Sequence, residues 1–268
     1  MDLKIFDVEH GACALLTCDD GTRLMIDCGH NVTTNWKPGS YLLNQNIAQL
    51  EMLAVTNYDE DHVSGIIDLL EKVNVRWLMR NKSVSSGAIR QLKSEDGMGR
   101  GIEKLVYAIE NIFTGDGTIP QPPFSGLTRK VFWNTPQDFD DENNLSVALH
   151  LKCHNVGILF PGDLEKKGWL KLLERDDFKS MLRDTHVLVA SHHGRESGCC
   201  EEIFAYTSPF YIVISDKGYA HESQETLDFY RRFTRGGPFR NERERHILTT
   251  RNDGTIGFSL NTNNWTPY

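Results

Sequence analysis

Four apolar runs in this chain each end on an acid or a histidine, and that repeated placement constrains the fold more than any other feature. Residues 22–26 run into Asp27-Cys28-Gly29, and residues 52–56 into Asn57-Tyr58-Asp59-Glu60-Asp61-His62. Residues 156–160 lead through Pro161-Gly162 to Asp163, and residues 187–190 into Ser191-His192-His193-Gly194. A short apolar run bounded by turn residues reads as a buried strand. A polar group closing such a run stands at a sheet edge, where several strand ends can meet. Any one of them serves equally well as a helix cap or turn residue. Four in one chain point to strand ends that converge on one site.

The remaining pattern fits this view. Residues 2–8, 12–18 and 22–27 read as strands, with Asp19-Asp20-Gly21 turning between the second and third. Residues 40–50 and 63–72 have helical character, as do 85–94, 101–114, 164–182 and 223–233. Further strands are expected at 52–56, 75–79, 129–133, 145–151, 156–160, 185–190 and 210–214. A final hairpin is expected from 246–250 and 255–260, turning at Asn252-Asp253-Gly254. The Gly- and Pro-rich stretch 115–126 must be a loop and is the best join between two comparable halves. Two packed mixed sheets with helices outside would satisfy this order, as an α/β fold in a single domain over 1–268. The order alone leaves other α/β arrangements open.

Length and composition set the class. At 268 residues with 39% hydrophobic and 25% charged residues, the chain can bury a large core unaided. No apolar stretch reaches the roughly 20 residues that span a bilayer. The start runs directly into a strand, so a cytoplasmic location is the expectation. The net charge of -8 argues against a general nucleic-acid binder, since phosphate affinity rests on Lys and Arg. The basic-leaning segment 231–245 is diluted by Glu242 and Glu244 and reads as a solvated surface. Cys13, Cys18, Cys28, Cys153, Cys199 and Cys200 contain no C-x-x-C pair and are expected as reduced thiols.

The carboxylate and imidazole groups after residue 56 suit zinc, manganese or iron. The ordered set resembles the motifs of the metallo-β-lactamase fold superfamily, and within it the hydrolase domain of ComEC-type competence proteins. Asp7-Val8-Glu9-His10-Gly11 is similar to that branch's D-V-G-Q-G, and Ile26-Asp27-Cys28-Gly29 to its I-D-x-G. Asn143-Asn144-Leu145-Ser146 resembles N-x-x-S, and Gly162-Asp163 and Ser191-His192-His193-Gly194 match G-D and S-H-H-G. Ile214-Ser215 and His221 resemble its closing I-S…H.

The resemblance implies an αββα sandwich and a metal-dependent hydrolase that cleaves phosphodiesters with a metal-activated water. It implies Asp59, Asp61, His62, Asp163 and His193 as ligands for one or two Zn2+ ions, with Mn2+ as the other candidate. Asp61, His192 and His221 would carry the catalytic roles, with His192 facing the substrate and Asp27 bracing the ligand loop. His221 reads equally as a surface histidine beside a helix start. The acidic charge turns the expected substrate toward a small or single-stranded phosphodiester. One position departs from the pattern. Asn57 stands where the H-x-D-x-D-H motif has its first histidine, so the second metal position loses a strong ligand. A non-catalytic binding or regulatory protein is the competing reading. His10, in the opening loop, is the residue placed to compensate.

Overall fold

The computed structural model describes residues 1–94, 97–115, 121–217, 225–262 and 264–268. Two sheets dominate it. The first has seven strands in the spatial order Trp265–Pro267, Ile256–Leu260, Asp2–Ile5, Ala14–Thr17, Arg23–Ile26, Met52–Ala54 and Leu78–Met79. The second has six: Ile247–Thr249, Tyr211–Ile214, Val187–Val189, Val156–Phe160, Val147–Cys153 and Leu127–Trp133.

Side-chain alternation decides which layer each residue joins, because successive residues of a strand point to opposite faces. Leu24 and Ile26 enter a core shared with Leu149, Leu151, Ile158 and Val213 of the other sheet. Met25, between them, packs outward with Leu42, Ile66, Leu69, Ile102 and Leu105 of the flanking helices. The second sheet repeats this, with Ala148, Leu159, Leu188 and Ile212 packed against Trp169, Phe178 and Met181. Burial on both faces explains why these strands read as continuous apolar runs. Each fully buried aliphatic side chain contributes about 1.5–3 kcal/mol. The result is helix, sheet, sheet, helix.

The parallel pairings position the site. Arg23–Ile26 runs parallel to Met52–Ala54, and that strand parallel to Leu78–Met79. Val156–Phe160, Val187–Val189, Tyr211–Ile214 and Ile247–Thr249 also run parallel to one another. Their carboxyl ends therefore share an edge within each sheet, and loops after the strands gather there.

Two sequence expectations need correction. The final pair of strands is not a hairpin: Ile247–Thr249 pairs with Tyr211–Ile214 in one sheet, while Ile256–Leu260 pairs with Asp2–Ile5 in the other. The turn-forming residues instead close a short helix, Thr250–Asp253, with Gly254 beyond it at φ 66°. Asp253 Oδ2 accepts from the Thr249 N–H at 2.9 Å and fixes the chain as it crosses between sheets. The helix expected over 164–182 is two, Lys166–Leu172 and Asp176–Leu182, broken where Arg175 takes an extended backbone. Both pack the same apolar cluster, so the periodicity reads as continuous across the break.

Candidate metal centre

Several loops build the site, and two of them are held in an uncommon backbone. Asp27, His192 and His193 have φ of 53°, 50° and 53°, a left-handed region that non-glycine residues seldom occupy. Each such residue costs of order 1–3 kcal/mol and persists where its surroundings over-determine it. Here they do. At Gly29, a Cβ would lie 2.4 Å from the Asp61 carbonyl oxygen and 2.9 Å from that of Ala12. Three segments therefore pack through a position that admits no side chain.

Asp27 braces the centre. Its Oδ1 accepts from the Thr56 N–H at 2.7 Å, and its Oδ2 lies 3.0 Å from His62 Nδ1. With Nδ1 donating to Asp27, His62 turns Nε2 toward Asp163 Oδ1, 3.0 Å away. His193 donates from Nδ1 to the Ser215 carbonyl at 3.0 Å. Its Nε2 then lies 3.1 Å from Asp61 Oδ2 and 3.7 Å from Asp163 Oδ1. That nitrogen is buried and makes no hydrogen bond of good geometry. His10 Nε2 lies 3.5 Å from the same Asp61 oxygen.

Electrostatics follow from this packing. Burial works against a charged His62, but the facing carboxylates of Asp163 and Asp27 outweigh it and raise its pKa well above the usual imidazole value. His193 is raised in the same way against its burial, by Asp163 and Asp61. Burial should raise Asp61, yet the facing His193 ring and the nearby His62 hold it well below the usual carboxylate range. Asp163 is likewise held at about 2, its burial overcome by His62 and His193.

Two groups of possible ligand atoms lie within 4.8 Å of one another among the described residues: His10, Asp61, His193; and His62, Asp163, His193. A divalent ion fits this donor set. Two buried imidazole nitrogens, each with its ring partner already fixed, converge on carboxylate oxygens, as transition-metal ligation requires.

The remaining expected residues fall elsewhere. Asp59 belongs to neither group; its carboxylate is held by Lys93, which also reaches Glu142. Burial raises the Asp59 pKa, and Lys93 opposes that rise. His192 is also outside both groups. Its Nε2 accepts from Arg195 at 3.3 Å, and burial lowers its pKa. His221 lies outside the described residues. Lys93, Glu142 and Arg195 were missed by sequence reasoning. Arg195 also donates to His10 Nε2 at 3.1 Å, so its guanidinium joins the opening loop to the S-H-H-G loop.

No family model matches this chain. It is 26% identical over 221 residues to ComE operon protein 3 of Bacillus subtilis (strain 168), a match over 81% of this chain. The match spans 26% of that relative's own length. Among solved structures, CmlA, a diiron β-hydroxylase from Streptomyces venezuelae, superposes with a TM-score of 0.50 at 11% identity, covering 86% of this chain and 50% of that one. The metallo-β-lactamase fold protein YhfI from Bacillus subtilis has a TM-score of 0.46 at 11% identity, covering 92% and 95%. This chain has the metallo-β-lactamase fold. Its two face-to-face sheets, flanking helices and convergent Asp and His loops are that architecture, and its sequence is similar to a ComEC-type protein. No helix among the described residues is long and apolar enough to cross a membrane.

Proposed function

We propose that this chain is a metal-dependent hydrolase acting on phosphodiesters. The observation that carries the reading is the pocket in which His62 Nε2 and His193 Nε2 face Asp163 and Asp61 at 3.0 and 3.1 Å. This donor set suits Zn2+, with Mn2+ as the alternative. A divalent ion held there supplies a Lewis acid and lowers the pKa of water toward neutrality. The chain's own residues do the rest. Asp61, His62, Asp163 and His193 hold the ion, while Asp27 and the Ser215 carbonyl fix the two rings. Arg195, its guanidinium between His10 and His192, offers a planar fork to an anionic group. The motifs that resemble the hydrolase domain of ComEC-type competence proteins are what suggest a phosphodiester substrate. The net charge of -8 favours a small or single-stranded one.

Asn57 favours a second reading, a non-catalytic binding module, because its side chain is committed inside the protein. Its Nδ2 donates to Ser146 Oγ at 2.9 Å and its Oδ1 accepts from the Asp59 N–H at 2.7 Å. The deciding experiment incubates the metal-loaded chain with bis(p-nitrophenyl) phosphate and an ester panel. Turnover that falls more than about 100-fold in Asp61→Ala is expected, beyond the 10–100-fold typical of groups that only orient a ligand. A folded, metal-loaded protein inert on every substrate decides for the binding module.

A further inference from the structure

We propose that Lys93 takes the place of a second metal ion, so that the centre holds one divalent ion beside a built-in ammonium group. This rests on the reading of Asp61, His62, Asp163 and His193 as a metal site. Lys93 follows the helix Ser86–Leu92 and is 4% exposed. Its ammonium nitrogen is bonded to carboxylate oxygens of both Asp59 and Glu142. A lysine is buried this deeply only when its charge is matched, since an unpaired ion in the interior is very costly. Here two carboxylates match it, and they come from segments 34 and 49 residues away in the chain.

The donors around Lys93 do not fit a divalent ion. Asp59 is already bonded to a fixed positive charge, and an incoming ion would have to expel it. Asn57 cannot turn to help, because both ends of its carboxamide are in use and the residue is fully buried. Ser146, which accepts from Asn57, also accepts from the Asp163 N–H at 3.0 Å. That hydroxyl therefore ties the loop of the filled half to the loop of the open half. No group of three ligands within 4.8 Å includes Asp59 among the described residues. The committed Asn57 carboxamide and the buried lysine against Asp59 are two parts of one arrangement. The cation that this half of the centre requires is covalently part of the chain.

Metal stoichiometry tests this without reading activity. The full chain is purified without chelator, equilibrated with excess Zn2+, and measured by elemental analysis and native mass spectrometry. One ion per chain is expected for the unaltered protein and for Lys93→Arg. Lys93→Ala frees Asp59 and Glu142 and is expected to take up a second, weaker ion. Asp59→Asn is expected to keep its single ion with a Kd within about threefold of the original, which covers failure of Lys93→Ala to fold. Two ions on the unaltered protein, a folded Lys93→Ala that still takes one, or loss of the ion in Asp59→Asn would each overturn the proposal. One ion without turnover defeats the hydrolase reading and leaves this proposal standing. Two ions with turnover do the reverse, and no ion at all removes both.

Discussion

The two halves of the centre sit on one loop, two residues apart, and have different electrostatic partners. Around Asp61, carboxylates face histidine nitrogens across 3.0–3.1 Å, and the positive charge there is a ring proton that an incoming ion can displace. Around Asp59, the positive charge is supplied by Lys93. Both halves follow the same buried strand, Met52–Ala54, and both carry an aspartate. What separates them is the partner that the rest of the fold delivers: His193 from a left-handed loop in one case, a lysine from a helix end in the other. A metal pocket is thus defined less by its acids than by what neutralises them.

The strongest way to break this contrast is Asp163→Ala. Asp163 faces both His62 and His193 and is buried, so the open half depends on it. Its loss should weaken metal binding by more than about 100-fold, above the range for groups that merely orient a ligand. It should also leave a buried imidazole charge poorly matched, lowering stability by about 3–5 kcal/mol. Titration calorimetry and thermal melts of the metal-free protein read the two separately. Metal affinity unchanged in this variant would mean that the open half is no more a metal pocket than the filled one.

A third histidine sharpens what makes the open half special. His150 is as buried as His62, on the Val147–Cys153 strand, but it faces the Asp184 main-chain carbonyl at 3.3 Å instead of a carboxylate oxygen. Burial therefore wins, and its pKa falls to about 4. Unfolded, the same ring titrates near about 6.5. Between those values the unfolded chain binds the extra proton, so stability falls as pH drops from about 6.5 and levels off below about 4. The loss amounts to about 3–4 kcal/mol, or about 300-fold in the folding equilibrium. Denaturant unfolding of the metal-free protein across that range should show it, and His150→Leu should remove it. A full acid loss retained in His150→Leu would place its origin elsewhere and weaken the argument that facing carboxylates distinguish His62 and His193.

Which parts of this were legible in the sequence follows from the range of the forces involved. Strand ends such as Asp27, Asp163 and His193 stand out because the apolar runs before them are local and continuous. The sandwich follows from the same runs, since burial on two faces leaves no polar alternation. The strands at 247–249 and 256–260 were misread as a hairpin because Asn252-Asp253-Gly254 serves helix termination as readily as a hairpin turn. Only the sheets on either side decide between them. Lys93 was invisible for another reason. A lysine at the end of a helix is ordinarily solvated, and its burial here is set by Asp59 and Glu142, distant in the chain. Arg195 was hidden likewise, since His10 lies 185 residues before it.

Arg195 carries the smallest and most discriminating test. Both it and Lys93 bring a positive charge to the centre, but they are matched differently. Lys93 is neutralised by two carboxylates. Arg195 donates instead to ring nitrogens of His10 and His192, at 3.1 and 3.3 Å, and no ion pair between it and a carboxylate occurs among the described residues. Its charge is therefore left over for an anion, and its fork matches two oxygens of a phosphate. If the hydrolase reading holds, Arg195→Ala should raise KM by about tenfold, or about 1.4 kcal/mol, with the bound ion retained. Arg195→Lys should not restore KM, because a single ammonium cannot reproduce the fork. Steady-state kinetics beside metal analysis separate the outcomes. Loss of the ion in Arg195→Ala would show that the guanidinium props the His10 and His192 loops, leaving the centre without a cation reserved for substrate.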